Sequence, residues 1–174
     1  MLDRADIEPV FFAPFVSSIM RIEPSWIDYN GHLNMAYYHV LFDRAVDEAF
    51  ALVGIGPAYV KHRRHSFFTA EVHARYLREL NATDPVRVTL QLIDCDAKRL
   101  HFFQRLFHAT DGWVSATSEQ LALHVDMEVK KVSPFPDDVA GSLAAMKASH
   151  ALLPRPAAAG RRIAMRASVP AGAN

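Results

Sequence analysis

Between Met35 and Val53, apolar side chains recur at 38, 41, 42, 45, 49, 52 and 53, the spacing of one helix face. Tyr37, Val46 and Phe50 widen that face beyond the stripe of a helix resting on a surface. A helix that is apolar over so much of its circumference must be wrapped by other structure. No other feature of the chain constrains the fold as strongly. Asn34 is a favoured N-cap, and Gly54, Gly56 and Pro57 mark the stop.

The residues that follow can do the wrapping. SFFTAEVHARYL, 66–77, alternates Phe68, Ala70, Val72, Ala74 and Tyr76 against Glu71, His73 and Arg75. VRVTLQLID, from Val86, alternates again. RLHFFQRLFHA and WVSATSEQLALHVDM supply two more strands, and NATDP, CDAK and ATDG supply short turns. Short turns make antiparallel neighbours. Upstream, 17–27 reads as a strand with Met20, Ile22 and Trp26 on one face, and with an edge or bulge at Pro24. KHRRH, 61–65, reads as a basic turn. One helix on a meander of strands is an α+β layer fold.

The chain of 174 residues suits one domain. A short terminal helix is predicted over 137–153, capped near Asp137, and a basic tail over 154–174 has little to bury and reads as flexible or partner-dependent. All 19 acidic residues lie at or before Asp138; Lys147, Arg155, Arg161, Arg162 and Arg166 follow it. The formal net charge is zero, so no long-range field draws the chain to nucleic acid. The single cysteine, Cys95, excludes an internal disulfide and fits a reducing compartment. FFAPFV is too short and too interrupted for a leader core, and no run approaches the roughly 18 apolar residues of a membrane span. The expected location is cytoplasmic. His62 and His65 lack companions at a metal-ligand spacing, so no metal is expected.

DYNGHLN, 28–34, is the densest polar stretch, and it leads directly into the helix. Asp28 is either a turn residue bonding nearby amides or a carboxylate held near free amides at a helix N-terminus. The motif resembles that of hot-dog acyl-CoA thioesterases of the 4-hydroxybenzoyl-CoA thioesterase type. Asp28, Gly31, His32 and Asn34 match the D-x-x-G-H-x-N pattern of that group, and Met35 stands where a second asparagine is usual. RYLREL with NATDPV resembles the end of the family's second strand, with Thr83 for the customary glycine. DAKRLHFF and ATSEQLALHVD resemble the betainyl-CoA thioesterase subgroup, which occurs alone or fused to carnitine dehydrogenases.

The resemblance implies a hot-dog domain over 1–136, a long helix wrapped by about five strands. It implies hydrolysis of a small acyl-CoA ester without cofactor. Asp28 would be nucleophile or general base, and the Met35 amide would hold the oxyanion. Gly31 would permit a close backbone approach. His32 would either act as the base or, the favoured reading, brace the turn through a ring bond to backbone, and Asn34 would cap the helix. Hot-dog sheets pair edge to edge, which implies a homodimer or homotetramer with strand 66–77 at the seam.

The acyl group needs walls, and Trp26, Tyr37, Phe67, Phe68 and Trp113 are candidates. Glu119 shares a strand face with Trp113, Leu121, Leu123 and Val125. It either points out at a bulge or serves as counter-charge to a cationic, betaine-like acyl group. Arg63, Arg64, Lys98, Arg99 and the tail arginines are candidates for the phosphates of CoA. Two rival readings are a hot-dog enoyl-CoA hydratase, whose D-x-N-P-x-H motif is matched only in part, and a non-catalytic acyl-CoA-binding module.

Overall fold

The computed structural model describes residues 11–165, so Arg166 and the end of the expected tail lie outside the described residues. Its centre is α1, Met35–Ala51, on which Leu41, Phe42, Ala45, Ala49 and Phe50 are fully buried. The two alanines on the inward face let the sheet come close. Around the helix curls one antiparallel sheet of seven strands: β1 Phe15–Val16, β2 Met20–Arg21, β3 His65–Tyr76, β4 Pro85–Cys95, β5 Arg99–His108, β6 Val114–Asp126 and β7 Lys131–Val132. The main path runs β1-β4-β5-β6-β3; β2 pairs with β4 and β7 with β6. This is the expected hot-dog arrangement, with β3 at a free edge.

Two elements differ from the sequence expectation. The strand predicted over 17–27 shrinks to two-residue ladders, because Pro24 cannot donate to a ladder and starts a 3-10 turn, Pro24–Trp26. The basic turn at 61–65 is instead the end of α2, Pro57–Arg63. Pro57 opens that helix, and Lys61, His62 and Arg63 sit in its last turn, where the dipole favours cations. The terminal helix α3 spans Asp137–His150. Pro136 rather than Asp137 is its N-cap, and Asp137 and Asp138 occupy the first turn.

Helix and sheet are joined by a buried polar network as well as by packing. Gln104 Nε2 donates to the Phe42 carbonyl at 2.9 Å, and Gln120 Nε2 donates to Gln104 Oε1 at 2.9 Å and to Ser118 Oγ at 3.0 Å. Every member has a partner, which is the condition for a polar group to be tolerated there.

His150 fixes α3 to β4. The Leu92 amide donates to its Nδ1 at 2.8 Å, and its Nε2 donates to the Phe12 carbonyl at 2.9 Å. His124 is held likewise: Nδ1 donates to Ser133 O at 2.8 Å, and the Tyr59 hydroxyl donates to Nε2 at 2.7 Å. Both rings are thus held neutral, and burial pushes both below the ordinary histidine value. As pH falls below about 6.5, the unfolded chain takes these protons first. Stability should be full above that point and decline below it, before the carboxylates titrate. The urea midpoint is therefore expected to be lower at pH 5.5 than at pH 7.5. A His124→Ala, His150→Ala double variant should be less stable at pH 7.5 and lose most of that pH dependence.

Candidate active site

Residues 26–34 close on themselves as a miniature hairpin. The Asn34 amide donates to Trp26 O at 2.9 Å, the Asp28 amide to His32 O at 3.0 Å, and Ile27 bridges Leu33. Inside this loop Gly31 N donates to Asp28 O at 3.0 Å, and Gly31 has φ +83°. That backbone region strains any residue with a Cβ. The Leu33 amide, donating to Leu80 O at 2.8 Å, ties the loop to the segment after β3. The turn therefore stands at a fixed place, immediately ahead of α1.

Asn34 is the expected N-cap: its Oδ1 accepts from Ala36 N at 3.0 Å, and its carbonyl accepts from Tyr37 N at 3.0 Å. These bonds use the second and third amides of α1 and pass over the first, that of Met35. The half-buried Asp28 accepts from Asn30 N at 2.8 Å through Oδ1. The bond of an ordinary turn aspartate is thus present, and it engages one carboxylate oxygen.

His32 differs from expectation. Its backbone carbonyl closes the turn, while its ring is half exposed with Nε2 4.0 Å from Glu79 Oε1. The aromatic candidates are not gathered around Glu119. Trp26 stacks on Tyr37 with centroids 5.2 Å apart, and the Arg44 guanidinium lies 5.1 Å over the Trp26 ring. Phe67 faces the core against Phe50. Trp113 precedes β6, packed between His108 and Arg78. Phe68 faces outward at the edge.

Glu119 lies on the outer face of the sheet, away from α1. The register shifts of its neighbours fall at Thr69/Glu71 and Leu106/Phe107, so no bulge at Glu119 puts it there; plain alternation does. His101 Nε2 donates to Glu119 Oε1 at 2.7 Å. Sequence reading missed His101 because its partnership depends on strand register, two rows across β5 and β6.

Among the basic candidates, Arg63 is committed to Asp138 by two bonds of 2.8 and 2.6 Å. This pairing holds the Asp138 carboxyl below the usual range. Arg64 lies 3.8 Å from Glu128. Lys98 and Arg99 sit at the β4–β5 turn, with Arg99 paired to Asp96 at 2.6 Å. Among the described residues no cluster of His, Cys, Asp and Glu could hold a metal ion, and no helix is long and apolar enough to cross a membrane.

Residues 22–143, covering the turn, α1 and the four long strands β3–β6, match the Thioesterase-like superfamily. The chain belongs to this superfamily. It is 37% identical over 142 residues to a betainyl-CoA thioesterase of Pseudomonas aeruginosa, covering 82% of this chain and 89% of that protein. It is 39% identical over 143 residues to an L-carnitine dehydrogenase/betainyl-CoA thioesterase of Rhizobium meliloti. That match again covers 82% of this chain, but the chain spans only 29% of the Rhizobium protein. A Staphylococcus aureus protein solved in complex with CoA superposes with a TM-score of 0.82 at 26% identity, covering 92% of this chain and 100% of that one. The superfamily match ends within α3, so the segment after Pro154 lies beyond it.

The turn yields a stability test. Gly31→Ala forces a Cβ into the left-handed region and should lower the unfolding free energy by about 1–2 kcal/mol. Gly141→Ala, inside α3 with open space around it, should raise it by about 0.5–1 kcal/mol. Urea denaturation of the two variants checks the opposite signs.

Proposed function

We propose that the protein hydrolyses acyl-CoA thioesters and that betainyl-CoA is its substrate. One observation carries the catalytic reading: the half-buried Asp28 carboxylate stands on a closed turn directly before the Met35 amide, at the positive end of the wrapped helix α1. The thioester carbonyl would lie between them. Asp28 either attacks the carbonyl carbon, giving a mixed anhydride that water then opens, or takes a proton from the attacking water. In both routes charge gathers on the carbonyl oxygen, where the Met35 N–H and the helix dipole stabilise it. In the first route, collapse to the anhydride breaks the C–S bond and expels CoA as its thiolate, which water protonates; in the second, the proton taken by Asp28 passes to the departing sulfur as the C–S bond breaks. No cofactor enters either route. Gly31 and Asn34 hold this geometry, and His32 closes it through its carbonyl.

Betainyl-CoA as the substrate is supported by the names of the two bacterial relatives and by the 82% of this chain that each match covers. The dehydrogenase named with the thioesterase in the Rhizobium protein puts the reaction in carnitine breakdown on this reading. The hydratase reading fits less well: proline is confined near φ −65°, and position 31 is at φ +83°. In a CoA-release assay across betainyl-, acetyl-, benzoyl- and long-chain acyl-CoA, we expect betainyl-CoA to turn over fastest. Asp28→Asn should lower kcat at least about 100-fold. Faster turnover of benzoyl- or long-chain esters would remove betainyl-CoA as substrate. No CoA release from any ester would favour the binding module.

The same reading includes a second copy of the chain. Among the described residues, β3 has an unpaired edge of twelve residues, with Phe68, Val72 and Tyr76 exposed along it. Such an edge invites antiparallel pairing with its own copy. That pairing brings Asp28 of the partner subunit toward the start of β3. Of the five aromatic candidates only Phe68 is exposed, and there it would form a wall for the trimethylammonium group. A dimer or a tetramer of such dimers is expected in sedimentation. Val72→Lys, which adds like charges at the seam, should shift it toward monomer and abolish hydrolysis together.

A further inference from the structure

The tail offers little apolar surface for packing, yet its first part lies on the outer face of the sheet. Pro156 is buried. Ala159 N donates to Pro156 O at 2.9 Å, forming a turn that ends at Gly160, with φ +77°. The Gly160 amide then donates to both oxygens of Glu119, at 2.9 and 2.8 Å. Glycine suits that position, because a side chain would strain the backbone that aims the amide. Gln91 Nε2 adds a contact to Pro154 O at 3.4 Å. The carboxylate expected to face a cationic acyl group thus anchors a strap, which no periodicity in the sequence announces.

Under the strap lies a cavity of about 760 Å³, within the range of small-molecule sites. Leu121 gives it an apolar floor, and exposed Arg161 and Arg162 follow directly from the anchored glycine at its rim. Its acidic lining is largely engaged: Asp94 by Lys147, Asp96 by Arg99, and Glu119 by His101 and Gly160. Glu71 is the remaining carboxylate. Cross-strand pairs Phe68–Leu123 and Leu123–Arg99 lead from the free edge of β3 toward this cavity. With neighbouring strands about 4.8 Å apart, the edge is roughly 10 Å from Arg99.

We propose that this cavity takes the nucleotide end of CoA, with Arg161 and Arg162 on its phosphates, and that Glu119 is the positioning residue that holds the strap over it. The proposal rests on the reading of the protein as a CoA-ester hydrolase. The seam at β3 receives the thioester, and the phosphates lie further along the outer face. An apolar floor with a cationic rim matches adenosine 3′,5′-bisphosphate: the base is largely apolar on its face, and guanidinium groups pair well with phosphate oxygens.

The test uses the full chain and two probes. Adenosine 3′,5′-bisphosphate is titrated calorimetrically, and KM and kcat are measured for a hydrolysed CoA ester and for the same acyl group on N-acetylcysteamine, which lacks the nucleotide. The Arg161→Ala, Arg162→Ala variant should weaken bisphosphate binding roughly tenfold or more and raise KM for the CoA ester similarly. Its kcat and its KM for the short thioester should stay as in the parent. Glu119→Ala should give the same split, and adding it to the arginine pair should cost little more, since it acts through them. Unchanged bisphosphate binding in the arginine variant, or an equal loss on both thioesters, overturns the proposal. If the parent protein hydrolyses no thioester, the enzymatic reading fails, while the titration still decides whether the strap binds the nucleotide.

Discussion

Burial of α1 is the constraint on which everything else depends. Its apolar face, from Tyr38 to Phe50, is too wide to rest on a flat surface, while His39, Asp43, Arg44 and Asp47 stay in water, so the chain must supply a sheet that curves around the apolar side. A single antiparallel sheet does so, because strands twist and neighbouring strands rotate steadily with respect to one another. The fully buried residues of α1 share their core clusters with Leu90 and Leu92 from β4 and with Phe102 and Leu106 from β5. Each large side chain removed from water there contributes on the order of 1.5–3 kcal/mol. The glutamine network between Phe42, Gln104 and Gln120 adds direction to that packing, since it is satisfied in only one arrangement of helix and sheet.

Enclosing the helix leaves its N-terminus at the rim. A helix start has amides without intrahelical partners, and here Asn34 accounts for two of the nearest through its side chain and carbonyl. The small hairpin of 26–34, which carries Asp28, leads straight into this helix start. Hydrolysis at this place, as proposed, would need little machinery, because the fold supplies a helix dipole and a fixed turn. The superfamily match spans the turn, the helix and the four long strands.

The outer face of the sheet has a different character. It carries the His101–Glu119 pair, and it holds the strap chiefly through the Gly160 amide on Glu119. A contact made by one amide and one carboxylate is cheap to form and cheap to lose, unlike the burial of α1. The fold is thus rigid where the reacting atoms would sit and adjustable where a long substrate would have to enter and leave.

The sequence by itself determined the wrapped helix, the four long strands and the polar turn, because each is written in residues near one another: a 3.6-residue stripe, an alternation of two, an N-cap beside its helix. It also carried the motif by which Asp28, Gly31 and Asn34 could be picked out. It did not reveal α2, whose seven residues are too few for a period, or the break at Pro24, where a strand and a 3-10 turn compete locally. Tertiary structure alone decided which outward residues meet. Strand register joined His101 to Glu119 across β5 and β6. Packing assigned Trp26, Tyr37, Phe67 and Trp113 to neighbours far from Glu119. The return of the chain over the sheet brought Gly160 to a carboxylate 41 residues earlier. Contacts between distant segments depend on how the whole chain closes, and no local pattern of residues encodes that closure.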